Sequence, residues 1–159
     1  MQHIATLYDR LVAIVASHWA EGIALLLARI ALAGIFWRSG RSKVVEGSLF
    51  QISDSTRYLF ENDYAAVPLP PEIAAPLATV GEHLFPALLV IGLAARPSAA
   101  ALLGMTLVIQ IFVYPESWWT VHILWTALAA VLIVRGGGFL SLDALIGRCR
   151  QRRDQTAAG

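Results

Sequence analysis

Four long apolar runs constrain this chain more than anything else in it. They cover residues 20–37, 73–93, 98–113 and 118–134, and the charged residues within them are Glu21, Arg29 and Glu82. A helix needs about 20 mainly apolar residues to cross a bilayer. The first two runs meet that length. The last two are short and are expected to extend into their flanks, where Tyr114, Trp118 and Trp119 would sit at the headgroup level as aromatic anchors. Burying four such runs inside a soluble domain would leave too little polar surface. The chain has 159 residues, 57% hydrophobic and 14% charged, against about 25% charged in an ordinary soluble domain. The expected fold is therefore an all-α membrane protein, a four-transmembrane-helix bundle forming one domain over residues 1–145.

The connections differ in kind. Residues 94–97 and 114–117 are tight turns. Residues 41–72 form a long outer loop carrying Glu46, Asp54, Glu61, Asp63 and Glu72, with apolar residues near helical spacing between 48 and 60. Before the first span, Leu7, Leu11, Ile14, Val15 and His18 recur at helical spacing, which predicts a short amphipathic helix at the membrane surface. That stretch lacks the basic start and compact apolar core of a signal peptide. The glycines 136–138 read as a helix stop, and the basic tail 146–159 as disordered. Arg10, Arg96, Arg135, Arg148, Arg150, Arg152 and Arg153 fall on one side, which puts both termini in the cytoplasm of a bacterial inner membrane. Arg41 and Lys43 count against that orientation. A net charge of +1 gives no basic face for nucleic acid, and the single Cys149 excludes an internal disulfide or a CxxC centre.

A polar layer crosses the spans. At 1.5 Å per residue, Arg29 lies about 14 Å and Glu82 about 16 Å from the cytoplasmic ends of their helices. Charged groups inside a membrane face the bundle and pair, so an Arg29–Glu82 ion pair is expected. His83 is rotated by about 100° from Glu82 and faces elsewhere. Pro86 removes the amide that would have bonded the Glu82 carbonyl. Gln110 and His122 share a depth of about 18 Å, and Trp118, His122 and Trp125 share a helix face. With Trp37 and Arg38 above, these residues suggest an aromatic and basic cleft suited to a flat, amphipathic ligand such as a quinone. His83 and His122 are also the two span histidines that a metal would use, although two ligands are too few without carboxylate help.

These residues also carry a family resemblance. ARIALAGIFWRSGRSK resembles the first span of the DoxX family of small four-span membrane proteins. GEHLFPALLVIGLAARPSAAALLGM is similar to its second-span signature, and GGGFLSLD to its closing motif at Gly136, Gly138, Ser141, Leu142 and Asp143. The match covers about residues 20–145. Ala95 stands where the family often has Thr, and Gly137 where it often has Pro. The resemblance implies a left-handed four-helix bundle and a link to membrane redox systems, including a subunit of thiosulfate:quinone oxidoreductase.

The leading expectation is a redox-associated protein that binds a quinone-like ligand and works with a partner subunit, at most as one subunit of a membrane oxidoreductase. It would hold no covalently bound cofactor. Glu82 is the candidate proton acceptor, with His83, Gln110, Trp118, His122, Trp125, Trp37 and Arg38 as ligand candidates. The alternatives are a non-catalytic scaffold or a small transporter or metal handler using His83 and His122. A homo-oligomer is open through the small residues Ala24, Ala28 and Ala31.

Overall fold

The computed structural model describes Asp9 and residues 11–157. Of the residues that predict the N-terminal amphipathic helix, Leu7 lies outside the described residues; 11–15 are helical and exposed. The described chain is mainly helical, with an isolated antiparallel bridge between Val44 and Ile52 in the long connection after the first helix. The helices are α1 (His18–Ser42), α2 (Asp54–Asn62), α3 (Pro71–Ile91), α4 (Ala95–Phe112), α5 (Ile123–Arg135) and α6 (Leu142–Ala157). A 3₁₀ turn at Pro115–Ser117 and a π-helical turn at Trp118–His122 lead into α5, so that the fourth span runs Pro115–Arg135.

Local chemistry sets the ends. Ser17 caps α1, its hydroxyl accepting from the Ala20 amide at 3.2 Å, which satisfies one orphan donor of the first turn. Pro71 opens α3, where a missing N–H costs nothing. Gly92 closes it with φ +71°, and a Cβ there would lie 2.5 Å from that of Ser141. Gly136, at φ +77°, stops α5. Arg96 then covers the end of α5, donating to the Ile133 carbonyl at 3.1 Å and the Val134 carbonyl at 3.2 Å.

α1 packs against α3 and α5, and α4 against α3 and α5, closing a four-helix ring. Leu25, Leu32, Ala33, Phe36 and Gly40 form the buried stripe of α1 with Arg29 among them. They meet Leu89 of α3, Ala95, Ala99 and Leu102 of α4, and Ala129 and Leu132 of α5. The outward faces are apolar as well: Ile23, Leu27, Ile30, Leu77, Leu84, Ile111 and Leu124 are exposed. In water such faces would aggregate; against lipid tails they are at home. Ala24 and Ala31 are also on the outside of α1, while Ala28 packs against the core.

Two expectations change. α1 is longer than expected and runs five residues past Trp37, to Ser42. The tail expected to be disordered is helical from Leu142, because Asp143 and Ser141 organise its start: the Ser141 hydroxyl accepts from the Ala144 amide at 3.2 Å.

Candidate functional site

Lys43 is the C-cap of α1, and its backbone is tied to the long loop. Its carbonyl accepts from Ser53 N at 3.1 Å and Thr56 Oγ1 at 2.9 Å. That anchoring turns the side chain inward, where it is 5% exposed. Its Nζ donates to Glu82 Oε1 at 3.0 Å and Ser39 Oγ at 2.9 Å, and lies 2.8 Å from Glu82 Oε2. Ser39 in turn donates to Oε1 at 3.2 Å. Oε2 accepts no aligned hydrogen bond. That oxygen is itself buried, and its 2.8 Å contact with Nζ completes the ion pair.

The expected Arg29–Glu82 pair does not form. Glu82 is held by Lys43, while Arg29 donates to backbone carbonyls: Leu89 at 3.2 Å, Val90 at 3.4 Å and Leu140 at 2.6 Å. The cause is register. Gly40 of α1 lies opposite Glu82 and His83, and Arg29 lies opposite Gly92. Arg29 is eleven residues from Gly40, about 16 Å along the helix axis. The neighbouring ends of α1 and α3 are therefore not level: α1 starts eleven residues before Arg29, whereas α3 ends beside it. The Arg29 guanidinium instead binds the frayed carbonyls at the end of α3, which a cation near a helix C-terminus favours.

His83 is buried and donates from Nδ1 to the Thr79 carbonyl at 2.7 Å. That tautomer leaves Nε2 as an acceptor, and Nε2 has no partner. Trp37 meets the ring edge-on at 5.1 Å between centroids, and Phe50 of the loop lies 6.1 Å away. A separate group forms between α4 and the fourth span. His122 Nδ1 donates to Gln110 Oε1 at 2.7 Å, and Gln110 Nε2 to the Pro115 carbonyl at 2.7 Å. Trp125 lies 5.1 Å from the His122 ring and 5.6 Å from Phe36. The π-helical turn positions His122 here, a local irregularity common at functional sites.

The expected single cleft is thus two groups on different helix interfaces: Trp37 with His83, and Gln110 with His122 and Trp125. Among the described residues no hydrogen bond or ring contact ties Arg38 or Trp118 to either, and Arg38 is exposed. His83 and His122 are not brought together, and no three His, Cys, Asp or Glu among the described residues are grouped to hold a metal.

The cavity lies elsewhere. A groove of about 550 Å³ runs between α3 and α4, roofed by Phe60, Tyr64, Val67 and Leu69 of the long loop. Gly81 on α3 and Gly104 on α4 both line it; a Cβ at Gly104 would meet nothing within 4 Å, whereas one at Gly81 would stand 3.3 Å from Met105 Sδ. Leu77, Leu84, Met105 and Val108 make it apolar, and Lys43 and Glu82 form its charged end. Burial, then the charges of Glu82, Tyr114 and Asp63, push the Tyr64 phenol above its usual range, so it stays a neutral donor. Lys43, Tyr64 and the glycines escaped the sequence reading. Lys43 looked like a loop cation, and only the length of α1 could have signalled otherwise.

A bundle of four apolar helices with a buried ion pair and a lipid-facing exterior defines a multi-pass membrane protein. The DoxX family model matches residues 24–122, and the chain belongs to that family. No curated protein and no solved structure matches it significantly.

Proposed function

We propose that this is a redox-associated protein of a bacterial inner membrane, with both termini cytoplasmic, that holds a quinone-like ligand in the α3–α4 groove. The observation that carries this reading is the pairing of a long apolar groove with one charged end. Binding sites for small amphipathic molecules are concave and apolar, with a few placed polar groups. An isoprenoid-type tail would lie along Leu77, Leu84 and Val108. The ring would reach the Lys43–Glu82 end, where the ammonium donates to a carbonyl oxygen and Glu82 Oε2 accepts from a hydroxyl. Tyr64 would add a second donor. This relocates the head group from His122 and Trp125 to Lys43 and Glu82. A partner subunit supplies the electrons; this chain binds and orients the ring and holds a proton at Glu82.

The test is quinone recovered with the protein purified from native membranes. Wild type should carry quinone. Gly104→Leu should lose most of it, because open space at the Gly104 Cβ lets the new side chain enter the groove without a clash. Glu82→Gln should weaken binding. Quinone absent from wild type after incubation with excess, or undiminished in Gly104→Leu, refutes the reading.

A further inference from the structure

α6 leaves the bundle as a helix with two unlike sides. Leu142, Leu145, Ile146 and Cys149 recur at i, i+3, i+4 and i+7, so they form one stripe. Leu142, Leu145 and Ile146 are 39%, 51% and 40% exposed. At 100° per residue, Arg148 and Arg152 flank the stripe on one side, Arg150 flanks it on the other, and Arg153 continues it. Gly147, Gln151 and Asp154 take the opposite side, and Asp143 lies beside Arg150. Arg150, Arg152 and Arg153 make no ion pair among the described residues. Arg148 is tied back to the Phe139 and Ala144 carbonyls, both at 3.3 Å.

The start of this helix is fixed at the end of two spans. The Asp143 amide donates to the Gly92 carbonyl at 2.9 Å, and the Asp143 carboxylate accepts from the Ala94 and Ala95 amides, each at 2.8 Å. So α6 begins where α3 ends and α4 begins, at the edge of the apolar layer, and extends about 24 Å. An exposed apolar stripe bordered by arginines, with Asp154 turned away and Asp143 occupied by two amides, matches the in-plane geometry of an interfacial helix. We infer that α6 docks on anionic phospholipid headgroups of the adjacent leaflet, with its stripe at the acyl boundary and its arginines on the phosphates. Guanidinium suits this role because its fork pairs with phosphate oxygens.

Each arginine near an anionic surface changes the ratio of docked to undocked helix by about fivefold. Neutralising three therefore changes it by roughly a hundredfold. Cys149, the chain's one cysteine, lies on the stripe and accepts a nitroxide without further mutation. The full chain is placed in nanodiscs of phosphatidylcholine alone, or with one third phosphatidylglycerol. Collision of the label with oxygen and with a water-soluble nickel chelate is then measured. Docking predicts less nickel and more oxygen contact in the anionic discs, reversal by high salt, and loss of the lipid response in Arg150→Gln/Arg152→Gln/Arg153→Gln. Amide hydrogen exchange over 142–157 in unlabelled protein should slow in the same discs, which guards against an effect of the label. Equal nickel contact in both lipids overturns the inference, as does a response that survives in the triple variant. Shielding that is the same in both lipids and in detergent assigns the stripe to a second copy of the chain instead.

Discussion

Lys43→Met should destabilise this protein far more than its position at a helix end suggests. Nζ lies 2.8 and 3.0 Å from the two Glu82 oxygens, and the two side chains are 7% and 2% exposed. At an effective dielectric constant of about 20, charges 2.8 Å apart attract by about 6 kcal/mol. Most of that is cancelled by the cost of taking both out of water. Removing only the lysine leaves the carboxylate buried with Ser39 as its remaining partner, and the expected loss is about 3–5 kcal/mol. Removing both with Lys43→Met/Glu82→Met should be much milder, giving a coupling energy of about 3 kcal/mol in the cycle. The companion cycle of Arg29→Met with Glu82→Met should be additive within about 0.5 kcal/mol, because the two sites share no partner. Both cycles can be read from detergent-to-dodecyl-sulfate unfolding titrations of purified protein. Strong Arg29–Glu82 coupling together with additive Lys43 and Glu82 effects would show that the register derived above is wrong.

Three further outcomes follow from the packing. A Cβ at Gly40 would stand 2.9 Å from His83 Cε1 and 3.1 Å from Glu82 Cβ, whereas one at Gly34 meets nothing within 4 Å. In the same unfolding titration Gly40→Ala should therefore cost about 1–3 kcal/mol, and Gly34→Ala should stabilise by up to about 1 kcal/mol. Asp143→Ala removes the acceptor for two amides at the start of α4 and should cost about 1–2 kcal/mol, with proteolysis first at the α3–α4 turn; Asp143→Asn should cost less. Tyr64 has its folded pKa raised from an ordinary 10.0. The stability linked to it is complete below about pH 10 and is lost as pH rises toward the folded value. Tyr64→Phe should make alkaline unfolding less steep, and an unchanged pH profile would remove Tyr64 from the buried site.

The spans were legible because a long continuous apolar segment satisfies its own backbone in lipid only as a helix, whereas a barrel would need short alternating strands. Hydropathy alone located all four within a few residues, and the family signature lay in the same segments. Depth was harder. Helix length is set by caps, and nothing in WRSGRSK marks Ser42 rather than Trp37 as the end. The offset between the helices matters more: Gly40, near the end of α1, lies opposite Glu82 in the middle of α3, and Arg29 lies opposite Gly92 at its end, which brings Lys43 to Glu82 and keeps Arg29 away. The equal depth of Gln110 and His122 did correspond to a hydrogen bond, since both were counted across a short, tight turn. The groove was invisible for a different reason. It is left open by the side chain that Gly104 lacks, and its roof comes from a loop whose path depends on tertiary contacts.

The Asp143 clasp bears on the order in which the molecule is assembled. α4 begins at Ala94 with φ 50° and no side-chain cap nearby in sequence, so its cap arrives 48 and 49 residues later. Arg29 waits longer still for the Leu140 carbonyl, 111 residues downstream. During synthesis the first three spans must therefore be held in the membrane with a partly satisfied guanidinium on the first and open amides at the start of the third. Both defects close together when residues 140–143 emerge. The glycine turn after the last span thus works as a latch on the whole insertion sequence, and a nascent chain stalled before it should remain accessible to quality-control proteases at the α3–α4 turn.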